Sequence, residues 1–139
     1  MIPYWEVMAL KMGELDVDKS NVTNGVDIGE KIVVPIWTAA VYSGTHKIII
    51  DTGISDVDWV VKKLGGCRRK KDESIAEAIK QRLGWSPEDI DTVINTHLHH
   101  DHCGDNRLFK KAVFIVQKAE FEAAIDSTCP QTLLYKKSQ

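Results

Sequence analysis

Cysteine and long apolar segments are scarce in this chain of 139 residues. The three cysteines, Cys67, Cys103 and Cys129, contain no C-x-x-C pair of the kind found in zinc ribbons and redox sites. Because an odd number of cysteines cannot all pair within one chain, a disulfide-rich secreted scaffold is excluded and a cytoplasmic protein is expected. The longest uncharged run, residues 32–45, is interrupted by a proline and is too short to cross a bilayer.

The sequence also lacks an excess of charge of either sign. Eighteen basic and 20 acidic residues leave a formal net charge of −2, whereas a dedicated nucleic-acid binder normally has a basic field. We therefore expect a small-molecule substrate, and neither a nucleic acid nor a membrane as a partner. The basic run 68–71 is interpreted as a solvated loop. Length and composition predict one globular domain, residues 1–139.

Apolar periodicity predicts an α/β fold in which strands come first and then alternate with helices. Residues 13–31 are polar and predict a long loop, while Ser74 and Glu77 have the spacing of a helix capping box. Gly84 is expected to end that helix. The predicted strands are 4–11, 32–42, 47–50, 92–95 and 112–116, and the predicted helices are 75–83 and 118–125.

Four of the five histidines lie within residues 97–102, in the pattern H-x-H-x-D-H. This pattern directly follows a predicted strand. In extended backbone, residues at i, i+2 and i+4 share one side, so we expect His97, His99 and Asp101 to converge. His102 joins them if the chain turns after Asp101. The alternative is a polar loop with surface histidines.

Imidazole and carboxylate together suit Zn²⁺, and Fe²⁺ and Mn²⁺ remain alternatives because no residue type here distinguishes them. His100 has the wrong parity for coordination, which predicts a solvent-facing or packing role. Cys103 is adjacent to the candidate ligands, and packing behind the loop is favoured over coordination as a thiolate.

The motif Thr96-His97-x-His99-x-Asp101-His102, with Asp51-Thr52-Gly53 at the end of an upstream strand, resembles the metallo-β-lactamase superfamily. The flanking segments are most similar to the N-acyl-homoserine lactonase branch. The resemblance implies an αββα sandwich, of which this chain corresponds to the amino-terminal αβ half.

The resemblance also implies roles for individual residues. His97 and His99 would bind one metal ion, and Asp101 and His102 a second, so that the complete protein would hold two Zn²⁺ ions. Asp101 would in addition be catalytic, as a proton shuttle. Asp51 would orient the ligand loops through hydrogen bonds.

The implied activity is that of a metal-dependent hydrolase in which a metal-bound hydroxide opens an N-acyl-homoserine lactone or a related ester. Two alternatives remain open at this point: a glyoxalase-II-like thioester hydrolase, and an inactive fragment that lacks downstream ligands. A phosphodiesterase or ribonuclease ranks third because of the charge balance. In the family that the chain resembles, further metal ligands lie downstream, whereas here no histidine follows His102. We therefore expect a domain that is incomplete at its carboxyl end, binds metal weakly alone, and associates through an uncovered sheet face, for example as a homodimer.

Overall fold

Two long antiparallel strands, β1 (Glu6–Asp18) and β2 (Lys31–Tyr42), begin the fold. The computed structural model describes residues 4–126, 128 and 134–135. The prediction of a loop over residues 13–31 is wrong in its first part, because β1 continues to Asp18 and stays paired with β2. A bulge between Lys11 and Gly13 interrupts the alternation of apolar residues. A simple period of two therefore does not predict the second half of the strand.

The remaining elements build one six-stranded sheet with helices between its strands. Its strand order is β4-β1-β2-β3-β5-β6, and β3, β5 and β6 run parallel. The predicted strands and helices are all present. Helix α1 and strand β4 were not predicted, since α1 is a short, valine-rich segment and β4 has only two residues. The elements after β2 are β3 (Lys47–Ile50), α1 (Val57–Leu64), β4 (Cys67–Arg68), α2 (Ile75–Leu83), β5 (Thr92–Ile94), β6 (Val113–Ile115) and α3 (Lys118–Ile125).

The core lies between one face of the sheet and helices α1 and α2. Apolar burial on this face is the main stabilising contribution that the described part of the chain provides. Its buried members from β1, β2, β3, β5 and the two helices include Leu10, Ile36, Ala40, Ile49, Val93, Val60, Ile75, Ala78 and Ile79.

The opposite face of the sheet carries apolar side chains that remain exposed. On this face, the side chain of Trp37 in β2 is 52% exposed and that of Val7 in β1 is 71% exposed. Val113 and Ile115 of β6 pair with residues of β5 that point to this face, and they are also exposed. Within the described ranges there is a single sheet, covered by helices on one side. This confirms the α/β class and the layered arrangement.

Two local predictions need correction. Ser74 does not cap α2 with its side chain; its hydroxyl donates to the carbonyl of Lys71 instead. Gly84 does end α2, in the left-handed conformation. The basic run 68–71 is not simply a solvated loop, because Arg68 lies in β4 and its guanidinium donates to both carboxylate oxygens of Asp16, at 2.7 and 2.9 Å.

Two further features bear on compartment and redox state. In the portion of the chain that the structure covers, every helix is too short or too polar to cross a bilayer. Cys67 and Cys103 are buried. Cys129 lies outside the described residues.

Candidate metal centre

The histidine motif and Asp51 meet because their strands are parallel neighbours. Asp51 follows β3 and the motif follows β5, so both loops leave the sheet at the same edge. The two loops are joined by backbone hydrogen bonds, from Thr52 N to the carbonyl of His102 at 2.7 Å and from Gly104 N to the carbonyl of Gly53 at 2.8 Å. Register between the loops is therefore set by the main chain.

The motif is a turn and does not continue the strand. The backbone amides of His102 and Cys103 both donate to the carbonyl of His99, at 2.9 and 3.1 Å. The expectation of extended backbone with alternating sides is therefore wrong, although three of the motif imidazoles are in contact. The ring centroids of His97 and His99 are 4.4 Å apart, and those of His97 and His102 are 4.0 Å apart.

Asp51 is hydrogen-bonded to both ends of this motif. Its buried carboxylate accepts hydrogen bonds from Thr96 N at 2.8 Å, from Thr96 Oγ1 at 2.7 Å and from His102 Nδ1 at 2.8 Å. The other ring nitrogen of His102, Nε2, lies 3.5 Å from Asp101 Oδ2. Asp51 thus contacts one side of the His102 imidazole and Asp101 the other. These are the contacts expected of a residue that orients a ligand.

The charges of this pair perturb both groups. Burial alone would lower the pKa of His102, but the hydrogen bond to Asp51 and the negative charges of Asp101 and Asp51 raise it overall. Burial alone would raise the pKa of Asp51, but hydrogen bonds from His102 and Thr96 lower it. The pKa of His97 is lowered by burial and by the positive charge that His102 and His99 can carry. His97 is therefore neutral at pH 7, as a metal ligand must be.

These directions predict how the stability of the metal-free protein depends on pH. Asp51 stabilises the fold above its ordinary pKa of 3.8, and this contribution is lost as the pH falls through the lower folded-state pKa. His102 contributes fully below its ordinary pKa of 6.5, and its contribution is lost as the pH rises through the higher folded-state pKa. The pair is therefore expected to stabilise the fold most between about pH 4 and pH 6.5.

The measurement is the urea midpoint of chelator-treated protein across this range, for wild type and His102→Gln. We expect the difference between the two midpoints to shrink steadily above pH 6.5. A difference that stays constant or grows toward pH 9 would show that the pair does not act in this way.

His100 and Cys103 pack behind the loop. His100 is buried, and its ring meets Trp59 edge to face at a centroid distance of 5.5 Å. The Cys103 thiol donates to the carbonyl of Leu98 at 3.2 Å, and burial raises its pKa to about 12. A protonated, buried thiol is a poor ligand, which supports the packing interpretation.

Two contacts of the motif had no signal in the sequence, and a third, through Thr96, belongs to the motif itself. Glu120 of α3 accepts a hydrogen bond from Leu98 N at 2.8 Å, and the Tyr135 ring lies 5.2 Å from that of His99. Thr96 connects the motif to Asp51. Glu120 and Tyr135 are distant along the chain and belong to no local pattern, whereas Thr96 directly precedes the first motif histidine.

The residues fit a metal ion by donor type. Three imidazoles and a carboxylate are ligands that Zn²⁺ prefers, and His97, His99, His102 and Asp101 lie side by side. The imidazoles contact one another ring to ring. Among the residues that the structure describes, no group of three or more His, Cys, Asp or Glu side chains is arranged to hold a metal ion.

Comparison with known proteins places this arrangement in context. The sequence profile of the metallo-beta-lactamase superfamily matches residues 32–122. An N-acyl homoserine lactonase of a Bacillus species is 31% identical over 121 residues, which are 81% of this chain and 48% of the relative. The N-acyl homoserine lactonase AttM of Agrobacterium fabrum is 34% identical over 119 residues, 76% of this chain and 41% of the relative.

A solved structure has the same fold over nearly all of the chain. It is an N-acyl homoserine lactone hydrolase with the product N-hexanoyl-L-homoserine bound at its catalytic metal centre. The match has a TM-score of 0.80 and 25% identity, and it covers 96% of this chain and 56% of that one. The chain spans about half the length of the curated relatives that it matches.

Proposed function

This chain belongs to the metallo-beta-lactamase superfamily, and we propose that the whole protein is a zinc-dependent hydrolase of N-acyl homoserine lactones. The single observation that carries the proposal is the grouping of His97, His99 and His102 beside Asp101, with Asp51 bonded to the far side of His102. The named activity of the relatives supports the choice of a lactone as substrate.

His97, His99, Asp101 and His102 are the residues that would hold zinc. When bound, zinc would polarise the carbonyl of the lactone and lower the pKa of water at the site. The low pKa of His97 keeps its lone pair available for coordination near neutral pH. Asp51 fixes the His102 ring through Nδ1, which leaves Nε2 for coordination.

Asp101 is the residue that would move the proton. Ring opening adds water across the ester C–O bond, so a proton must pass from the attacking water to the departing alkoxide oxygen. The Asp101 carboxylate is partly buried and lies on the open side of His102, where its Oδ2 can accept that proton and return it. The products are one carboxylic acid, which ionises to a carboxylate by releasing its proton to solvent, and one hydroxyl group on the same opened chain.

The test uses the full-length protein, stripped with a chelator and reloaded with Zn²⁺, Fe²⁺ or Mn²⁺ in parallel. We expect hydrolysis of N-hexanoyl-L-homoserine lactone that depends on added metal and is lost in Asp101→Asn. His46→Ala is the control, because His46 is exposed and lies outside the motif. Cleavage of S-acyl glutathione by metal-loaded protein that leaves lactones intact would replace the proposal with thioester hydrolysis.

The Asp51→Asn variant tests the contact behind His102. Asp51 adopts a φ of +62°, a conformation that asparagine tolerates better than most residues, so the backbone should be retained. The loss of the negative charge should weaken zinc binding by about 10- to 100-fold, as measured by competition with a chromophoric chelator. The control is Asp91→Asn, since Asp91 precedes β5 and accepts a hydrogen bond from Lys47 N at the end of the strands opposite to the motif. Equal zinc affinities in both variants would remove Asp51 from the site.

A further inference from the structure

The guanidinium of Arg69 lies between the two loops of the candidate centre and is not used by the proposed chemistry. Its Nη1 donates to the carbonyl of Ile54, and its Nη2 donates to the carbonyl of Ser55 at 3.4 Å. Nη1 also lies 3.5 Å from Asp105 Oδ2. The Arg69 side chain is only 20% exposed, so these contacts are made largely out of water.

The partners of Arg69 belong to different loops. Ile54 and Ser55 directly follow Asp51-Thr52-Gly53, and Asp105 follows the last motif histidine by three residues. One side chain therefore joins the loop that carries Asp51 to the loop that carries His102. The backbone bridge between Gly53 and Cys103 lies between these anchor points and the Asp51–His102 contact.

The positive charge of Arg69 favours the ionised form of Asp105, against the burial that raises the pKa of this carboxyl group. The Asp105 carboxylate is buried, with 9% of the side chain exposed, and a buried charge is costly unless it is paired. A guanidinium presents five donors in one rigid plane, so it can serve the carboxylate and two carbonyls together. A lysine has a single ammonium group and cannot span the same three acceptors with that geometry.

We propose that Arg69 is a positioning residue that holds the Asp51 loop and the His102 loop in register. The Asp51–His102 hydrogen bond depends on this register. The proposal has two readouts. The first is the pairing of the two loops, and the second is zinc affinity, which alone rests on the proposed function.

The test compares Arg69→Met, Arg69→Lys and Arg68→Met in the full chain. Arg68 is the matched control because it is the adjacent arginine and pairs with Asp16, away from the motif. In Arg69→Met we expect hydrogen exchange at the amides of Thr52 and Gly104, which bridge the loops, to become at least about tenfold faster. Exchange at the core strand amides of Ile49 and Val93 should not change. Zinc affinity should fall by about tenfold, and Arg69→Lys should be intermediate in both readouts.

Several results would overturn the proposal. These are unchanged exchange at Thr52 and Gly104, an equal change in Arg68→Met, uniformly faster exchange throughout the core, or unaltered zinc affinity despite faster local exchange. If the wild type takes up no zinc, the proposed function fails, and the exchange comparison alone then decides the role of Arg69.

Discussion

Replacement of Gly104 by alanine is expected to weaken zinc binding by about 100-fold and to destabilise the fold by about 1–3 kcal/mol. A Cβ atom on Gly104 would lie 2.6 Å from both the carbonyl oxygen of Gly53 and the amide nitrogen of Ser55, and 2.8 Å from the carbonyl oxygen of His100. All three are backbone atoms and cannot turn aside. The methyl group must therefore push the Asp51 loop away from the motif.

The effect of Gly104→Ala is measured by chelator competition for zinc affinity and by the urea midpoint for stability. Gly44→Ala is the control, because a Cβ atom on Gly44 meets no atom within 4 Å in the turn between β2 and β3. Zinc affinity within twofold of the wild type in Gly104→Ala would show that the contact between the loops does not determine the site.

The second large effect is expected from His99→Ala, which should weaken zinc binding by at least about 100-fold. The loss of a residue that only orients a ligand costs 10- to 100-fold, so the loss of a ligand itself should cost more. The His99 ring packs against that of His97 within the cluster, and the remaining motif histidine, His100, is buried behind the loop. Zinc content after dialysis and chelator competition are the measurements.

The choice of control for His99→Ala follows from burial. His100→Ala should retain zinc, but His100 is 4% exposed and packs on Trp59, so its removal should also lower stability. His46→Ala is the cleaner comparison because the His46 side chain is 59% exposed. Equal zinc losses in His99→Ala and His46→Ala would contradict the assignment of His99.

The sequence predicts that His97, His99 and Asp101 converge and that His102 joins them after a turn, and the structure corrects the reason. Spacing suggested alternation along a strand, whereas hydrogen bonds to the carbonyl of His99 close a turn. Both geometries bring His97 and His99, which are two residues apart, together, so the pattern could not distinguish them. Asp51 was identifiable as a carboxylate that follows a buried strand.

The resemblance implies a supporting role for Asp51, but the contacts that hold the motif could not be derived from local patterns, because they depend on the packing of distant segments. The meeting of Asp51 with His102 requires β3 and β5 to be parallel neighbours, which no local pattern encodes. Arg69 looked like part of a solvated basic run, and its burial depends on the short strand β4. Tertiary contacts of this kind override local preference.

The exposed apolar face of the sheet bears on the rest of the protein. Trp37, Val113 and Ile115 are exposed to solvent on this face. The chain matches only about half of the length of its relatives. An apolar sheet face is normally buried against another layer. We therefore keep two predictions: further chain supplies more metal ligands and a second layer, and the 139 residues alone associate through this face.

X-ray absorption at the zinc edge of the full-length, zinc-loaded protein tests most directly whether the histidine motif holds the metal. We predict a shell of nitrogen and oxygen ligands at about 2.0–2.2 Å, together with the outer scattering typical of imidazole. A sulfur shell at about 2.3 Å would assign the metal to cysteine, and a spectrum with oxygen ligands but no imidazole scattering would place it outside the motif. Either result would contradict a metal centre built on His97, His99 and His102.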